Sequence, residues 1–263
     1  MTSNASSTLL DRVNPVTCLG AAMILTFPLF VTLDWVSAMA VVVLDLVVWL
    51  ALSPSHMGSR LRRLIRRSIP FLIAAPLAGL SMALYGNPDG RVFFTWGLIV
   101  ISEQSLSYAA AVAARVLALG MAVLVTLMDI DPTDMADGLA QVWHLPARFV
   151  LGTLAAVRLI SHLMDDWRFM KLARRARGLG DRGAIRRFAT SAFALLVSAI
   201  RRGSTLATAM EARGFGRGSR TWARPSTVGV PDLICVLTAS AIVGLGVALS
   251  LITGDFRWIG DVL

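Results

Sequence analysis

Arg60-Leu61-Arg62-Arg63-Leu64-Ile65-Arg66-Arg67 stands between two apolar runs, at about 35–53 and 69–85. Each run approaches the roughly 20 residues that cross a bilayer as a helix. An arginine block between two such runs marks the cytoplasmic side of a membrane. The run before it therefore travels inward and the run after it outward. Three further apolar runs lie at about 16–33, 107–128 and 228–252, which makes five expected spans. Only Leu33, Asp34 and Trp35 separate the first two, so a tight hairpin is expected there. The N-terminus then lies inside and the turn Gly86-Asn87-Pro88-Asp89-Gly90 outside. The long stretch from about 129 to 227 lies inside, and the C-terminus outside. The segment 92–106 is too short to span again, and is expected at the outer interface or as an extension of the fourth helix.

Composition agrees with this class. The chain has 263 residues, is 56% hydrophobic and has a mean hydropathy of +0.69, more apolar surface than a soluble domain of this length buries. The expected fold is all-α, a polytopic membrane protein with about five transmembrane helices and long cytoplasmic helices. It divides into N-terminal spans over 1–131, a cytoplasmic helical region over 132–227, and a last span with its tail over 228–263. The net charge of +9 does not indicate nucleic acid, because all the basic residues except Lys171 are arginine and they sit mainly in blocks between apolar runs. Cys18 and Cys235 lie far apart, each in an apolar run, and form neither a disulfide framework nor a metal-ligand spacing. The run 16–33 is followed by the leader-like Ala38-Met39-Ala40. It is longer than a signal-peptide core and only Arg12 precedes it, so it is read as a retained first span.

Three helices are expected in 132–227. The first starts near Asp131-Pro132-Thr133-Asp134 and ends before Pro146. The second covers about 147–177 and the third about 184–213. Their apolar portions, Phe149 to Met164 and Phe188 to Ile200, are short and carry or adjoin arginines, which predicts long amphipathic helices on the cytoplasmic membrane surface. Both end in one phrase, A-x-x-A-R-G-[apolar]-G, written at Ala173 to Gly180 and again thirty-six residues later at Ala209 to Gly216. An arginine on a last helical turn complements the macrodipole, and a following glycine closes the helix. Capping does not require alanine at the first and fourth positions, nor an apolar residue between two glycines. A guanidinium among small neighbours is suited to enter a groove on another protein and grip a carboxylate with two hydrogen bonds. Two copies imply two equivalent docking points.

Ala176-Arg177-Gly178 and Ala212-Arg213-Gly214 resemble the paired signature of the T component of energy-coupling factor (ECF) transporters. The opening Leu10-Asp11-Arg12-Val13-Asn14-Pro15-Val16-Thr17 is similar to that family's N-terminal Leu-His-Arg-Leu-Asp-Pro-Arg-Thr pattern. It departs from it at Asp11 and at Val16-Thr17-Cys18. The resemblance implies a non-catalytic scaffold in a bacterial or archaeal plasma membrane. Its Arg177 and Arg213 would each end a coupling helix seated in one of two cytoplasmic ABC ATPase subunits. Motion driven by ATP would pass to a membrane-embedded, substrate-binding S component for vitamin or metal-ion uptake, cobalt included.

Other motifs are weaker. Gly178-Leu179-Gly180-Asp181-Arg182-Gly183 has the form G-x-G-x-x-G, but no strand precedes it and no βαβ unit surrounds it. A chain whose one lysine is Lys171 has no P-loop, so ATP hydrolysis belongs to partners. No cofactor and no metal are expected, since His56, His144 and His162 share no ligand spacing. Asp45 and Arg115 fall inside spans, where a mutual pairing is the expected way to satisfy them. Trp35, Trp49 and Trp96 are expected as interfacial anchors. The alternative function is a membrane-embedded enzyme acting on a phosphorylated lipid or prenyl substrate, with Asp129, Asp131, Asp134 and Asp137 as its carboxylates. An S component or self-sufficient channel would not need so long a basic cytoplasmic region.

Overall fold

The computed structural model describes residues 13–32, 34–52, 57–85, 92–96, 99–178, 183–216, 222 and 224–254. The order of elements is α1 (Pro15–Val31), α2 (Trp35–Leu52), α3 (Met57–Tyr85), β1 (Val92–Trp96), β2 (Ile99–Ser102), α4 (Glu103–Leu127), α5 (Pro132–Gln141), α6 (Ala147–Ala176), α7 (Ala184–Ala212) and α8 (Val230–Thr253). The protein is an all-α polytopic membrane protein carrying one small hairpin. Its chain forms two compact units, Met1–Asp131 with Thr227–Leu263, and Pro132–Ser226. The 86–90 turn, Leu10 to Arg12, His56, and Leu179 to Arg182 lie outside the described residues.

The first unit is built from α1, α2, α3, α4 and α8. Its core is made of small and branched residues from four helices, Leu25 and Leu29 of α1, Val41 of α2, Ala114, Ala118 and Ala122 of α4, and Ala239 and Ile242 of α8. The connection between α1 and α2 is short, as expected, but the two helices hardly touch along their length. Each instead packs against both α4 and α8. The hairpin is therefore splayed, because α4 and α8 offer alanine-rich faces that admit close packing on either side. The α3 helix pairs most extensively with α4. At Gly79 a Cβ atom would stand 2.9 Å from the Ala109 carbonyl and 3.2 Å from the Ala113 Cβ, so this approach requires glycine.

Three expectations change here. The segment 92–102 forms an antiparallel hairpin pairing Thr95 with Val100 and Trp96 with Ile99, and α4 starts directly after it. Ser102 and Ser105 set that start with a reciprocal capping box, since each side chain meets the other's backbone amide, at 3.1 and 2.9 Å. Trp49 is not an anchor at the interface but is buried at 5% exposure among Leu64, Val125 and Met128. The side chains of Asp45 and Arg115 do not pair with each other. Asp45 Oδ2 and Arg115 Nε and Nη2 are buried without a hydrogen-bond partner. Cys18 of α1 and Cys235 of α8 are both free thiols, the first buried and the second half-buried.

The starts of α1 and α8 meet at one carboxylate. Asn14 caps α1, its Oδ1 accepting from Val16 N at 3.1 Å, with Pro15 pre-set for the first helical turn. Its own backbone N–H donates to Asp232 Oδ1 at 2.6 Å, and its side-chain amide donates to the Thr227 carbonyl at 3.3 Å. Asp232 Oδ2 in turn accepts from Gly229 N at 2.6 Å, closing the start of α8. Asp232 is 3% exposed. Removing it would orphan two backbone donors, and Asp232→Ala is expected to cost about 2–4 kcal/mol. Asp232→Asn, which keeps one acceptor, should cost roughly half of that. Thermal unfolding of the detergent-solubilised protein checks the order wild type, Asn, Ala.

Candidate functional site

The second unit contains α5, α6 and α7. The helices α6 and α7 are 30 and 29 residues long. At 1.5 Å per residue each is a rod of about 45 Å. They differ in surface. On α7, Phe193, Leu196, Val197 and Ile200 recur at helical spacing and are exposed, a one-sided apolar stripe. On α6, Phe149, Val150 and Leu151 are consecutive, so its apolar side chains spread around the helix rather than along one face. The helix α6 does not match the amphipathic expectation. By length and composition Ala147–Ala176 is apolar enough to cross a membrane, as are Arg60–Leu84, Gln104–Leu127 and Val230–Thr253. Pro15–Val31 and Trp35–Ala51 are shorter apolar helices.

The two rods are tied near the described residues that flank their link. Trp167 of α6 meets Phe188 of α7 edge to face, with ring centroids 5.6 Å apart. Arg174 Nη1 donates to the Arg187 carbonyl at 3.3 Å and to Thr190 Oγ1 at 3.0 Å. Further along, Arg202 pairs with Asp166 at 2.8 Å. Arg174 occupies the second position of the first A-x-x-A-R-G copy, where the second copy has Met210. The difference between the copies thus has a structural use, since Arg174 bonds the end of α6 to the first turns of α7.

The repeated phrase is repeated geometry. Arg177 is the C-cap of α6 at φ −88°, ψ 10°, and Arg213 is the C-cap of α7 at φ −85°, ψ 8°. The backbone N–H of Arg177 donates to Ala173 O and that of Arg213 to Ala209 O, both at 3.2 Å. Each first alanine of the phrase therefore supplies the last full-turn acceptor. Gly178 and Gly214 follow in the left-handed region, at φ +67° and +74°. Gly178 N donates to Arg175 O at 3.0 Å and Gly214 N to Glu211 O at 2.9 Å. After the second copy Phe215 N also reaches Met210 O at 2.9 Å, which completes a Schellman closure. The result is one guanidinium at each helix end, exposed and flanked by Ala176 or Ala212 and by a glycine with open space around it.

The carboxylates of the alternative enzyme do not assemble. Asp129 is held by Arg60 at 3.5 Å and Arg63 at 3.2 Å, on the first unit. Asp134, on the second, pairs with Arg224 at 3.5 Å. Among the described residues no group of three His, Cys, Asp or Glu side chains could hold a metal ion. Sequence reasoning missed Arg148, whose aliphatic stem lies where a Cβ of Gly216 would be, 2.8 Å from its Cδ. No periodicity pointed to that contact, which brings the start of α6 against the end of α7.

Alanine at a left-handed position costs about 1 kcal/mol. Gly178→Ala and Gly214→Ala should therefore fray the last turn of their helices, speeding amide exchange there roughly fivefold. Gly203→Ala, in the interior of α7 with nothing within 4 Å of the added methyl, should have the opposite sign and slow exchange in α7. Hydrogen-exchange mass spectrometry on the three variants checks the contrast.

Similarity to known proteins covers most of this architecture. Residues 6–222 match the family model CbiQ, described as cobalt transport protein. Among similar proteins is the energy-coupling factor transporter transmembrane protein EcfT of Limosilactobacillus fermentum, 26% identical over 179 residues, which covers 60% of this chain and 67% of that one. The protein of the same name from Brevibacillus brevis is 30% identical over 178 residues, covering 59% of this chain and 66% of its own. That of Exiguobacterium sibiricum is 28% identical over 203 residues, covering 72% and 75%. This chain thus spans about two thirds to three quarters of these relatives. With the match extending over the first spans and both arginine-capped helices, the chain belongs to the CbiQ family of transmembrane T components of ECF transporters.

Proposed function

We propose that this protein is the non-catalytic scaffold and coupling subunit of an ECF-type importer. Arg177 and Arg213 dock two cytoplasmic ABC ATPase subunits, and α6 and α7 carry the ATPases' motion to a membrane-embedded, substrate-binding S component. The observation that carries this is the identity of the two helix ends. Two separate 29- and 30-residue helices close with the same dihedrals, the same backbone bonds and the same exposed guanidinium. Stability alone needs no such match in sequence and geometry together. The ties at Trp167–Phe188 and Asp166–Arg202 support transmission, since helices bound to each other move as levers.

The second unit, with both arginines, belongs on the cytoplasmic side in this scheme, the side that the Arg60 to Arg67 block marks in the sequence. The two ATPases would meet unlike neighbours, Arg174-Arg175 at one end and Met210-Glu211 at the other, which suits two different subunits. The cargo class follows the family, a vitamin or a metal ion such as cobalt, chosen by the S component. The residues proposed for docking are Ala176, Arg177, Gly178, Ala212, Arg213 and Gly214.

Co-purification from membranes with the cognate ATPases tests the docking role. Arg177→Glu or Arg213→Glu alone should reduce recovered ATPase several-fold, and the double reversal should abolish it, because each opposed carboxylate pair turned repulsive costs about 2–5 kcal/mol. Membrane insertion and expression should stay normal, as both side chains are exposed. Full recovery of ATPases by the double reversal would contradict the docking role.

A further inference from the structure

Between α6 and α7 opens a groove of about 1230 Å³ within the second unit. Its rim carries Arg148, Arg158, Arg202 and Arg213, and no carboxylate is among its described lining residues. Leu151, Leu154, Leu206, Met210 and Phe215 supply apolar lining. The arginines are positioned rather than loose. Arg202 is held by Asp166 at 2.8 Å, Arg158 donates to Thr133 Oγ1 at 3.2 Å, and the stem of Arg148 lies against Gly216. A guanidinium has five N–H donors, so those of Arg158 and Arg202 retain free ones.

The groove therefore combines several positive charges with aliphatic surface, in a volume larger than the few hundred to about 1,000 Å³ of a typical small-molecule pocket. A soluble anion would leave the leucines wet, and a neutral lipid would leave the arginines without counter-charge. The same two helices also expose Ile160, Met164, Phe193, Leu196 and Ile200, apolar surface of the kind that meets a membrane or another protein. We propose that this groove binds one anionic phospholipid, its phosphate gripped by the arginines and its acyl chains lying on the leucine lining. The groove shares Arg213 and Gly214 with the proposed docking tip, but the test changes only Arg148 and Arg158 of the groove, which are not among the docking residues, so the proposal fails separately from the coupling role.

Native mass spectrometry of the full chain in neutral detergent tests it, with phosphatidylglycerol and phosphatidylcholine of identical acyl chains as probes. The wild type should retain one phosphatidylglycerol in preference to phosphatidylcholine by about tenfold. Arg148→Gln with Arg158→Gln should lose that preference, while the charge-keeping pair Arg148→Lys with Arg158→Lys should keep most of it and so show that the fold is intact. Arg62→Gln with Arg66→Gln, in the basic block of α3, should leave it unchanged. Equal retention of the two lipids by the wild type, or an undiminished preference in the glutamine pair, would overturn the proposal. So would loss of the preference in the lysine pair, or displacement of the lipid by glycerol phosphate at equal concentration, which would mean that the apolar lining contributes nothing.

Discussion

A left-handed glycine after each of two long helices is the constraint from which the candidate site follows. At φ +67° and +74° Gly178 and Gly214 turn the chain away from the helix axis within one residue. The preceding arginine then has no helical turn beyond it, and its side chain is exposed at the helix end. A residue with a Cβ at that position would strain this closure and loosen the last turn that holds the arginine. Small alanines at positions 176 and 212 keep the tip narrow, and the alanine carbonyls at 173 and 209 anchor it. Chemistry and shape are thereby fixed by the backbone rather than by side-chain contacts.

The first unit solves a different problem, that of holding five helices where the hydrophobic effect between helices is weak. Close packing of alanines in α4 and the glycine approach at Gly79 supply dispersion contacts. A few polar contacts fix registration. Asp232 joins the start of α1 to the start of α8, and Arg67 Nη1 donates to the Met128 carbonyl at 2.8 Å to tie α3 to the end of α4. Asp129 with Arg60 and Arg63 continues that seam. The block that signals topology in the sequence thus also braces the bundle on the same side. Deeper in, Asp34, Asp45 and Arg115 keep buried atoms without hydrogen bonds, a cost that a simple structural pairing would have removed.

Much of this was legible in the sequence because long apolar runs and helix-ending glycines are local signals. The bounds of α6 and α7 follow from Pro146, Gly178, Gly183 and Gly214, and the match of Arg177 and Arg213 was visible in the repeat. What escaped were facts of partner choice. Nothing local to residues 32–35 says that α1 and α2 will be wedged apart by α4 and α8. Trp49 near a span end reads as an anchor until Leu64, Val125 and Met128 are found around it. Asp45 and Arg115 looked like natural partners, yet which helix faces which is set by packing across the whole bundle. The hairpin at 92–102 was hidden because Val92-Phe93-Phe94 and Ile99-Val100-Ile101 are apolar in a chain where apolar means helix, and their β-branched and aromatic bias is short. The unusual circumference of α6 was masked by its arginines, which interrupt the run without confining the apolar residues to one face.

The central claim is that the two arginine-capped tips touch the ATPases. Site-specific photocrosslinking from Arg175 and from Glu211, the exposed residues two positions before each arginine, measures this in the membrane with both tips intact. The account predicts that each position yields an adduct with an ATPase subunit and that the yield changes when ATP is bound. Adducts formed only with lipid or within this chain, at both positions and in the presence of the assembled ATPases, would contradict it.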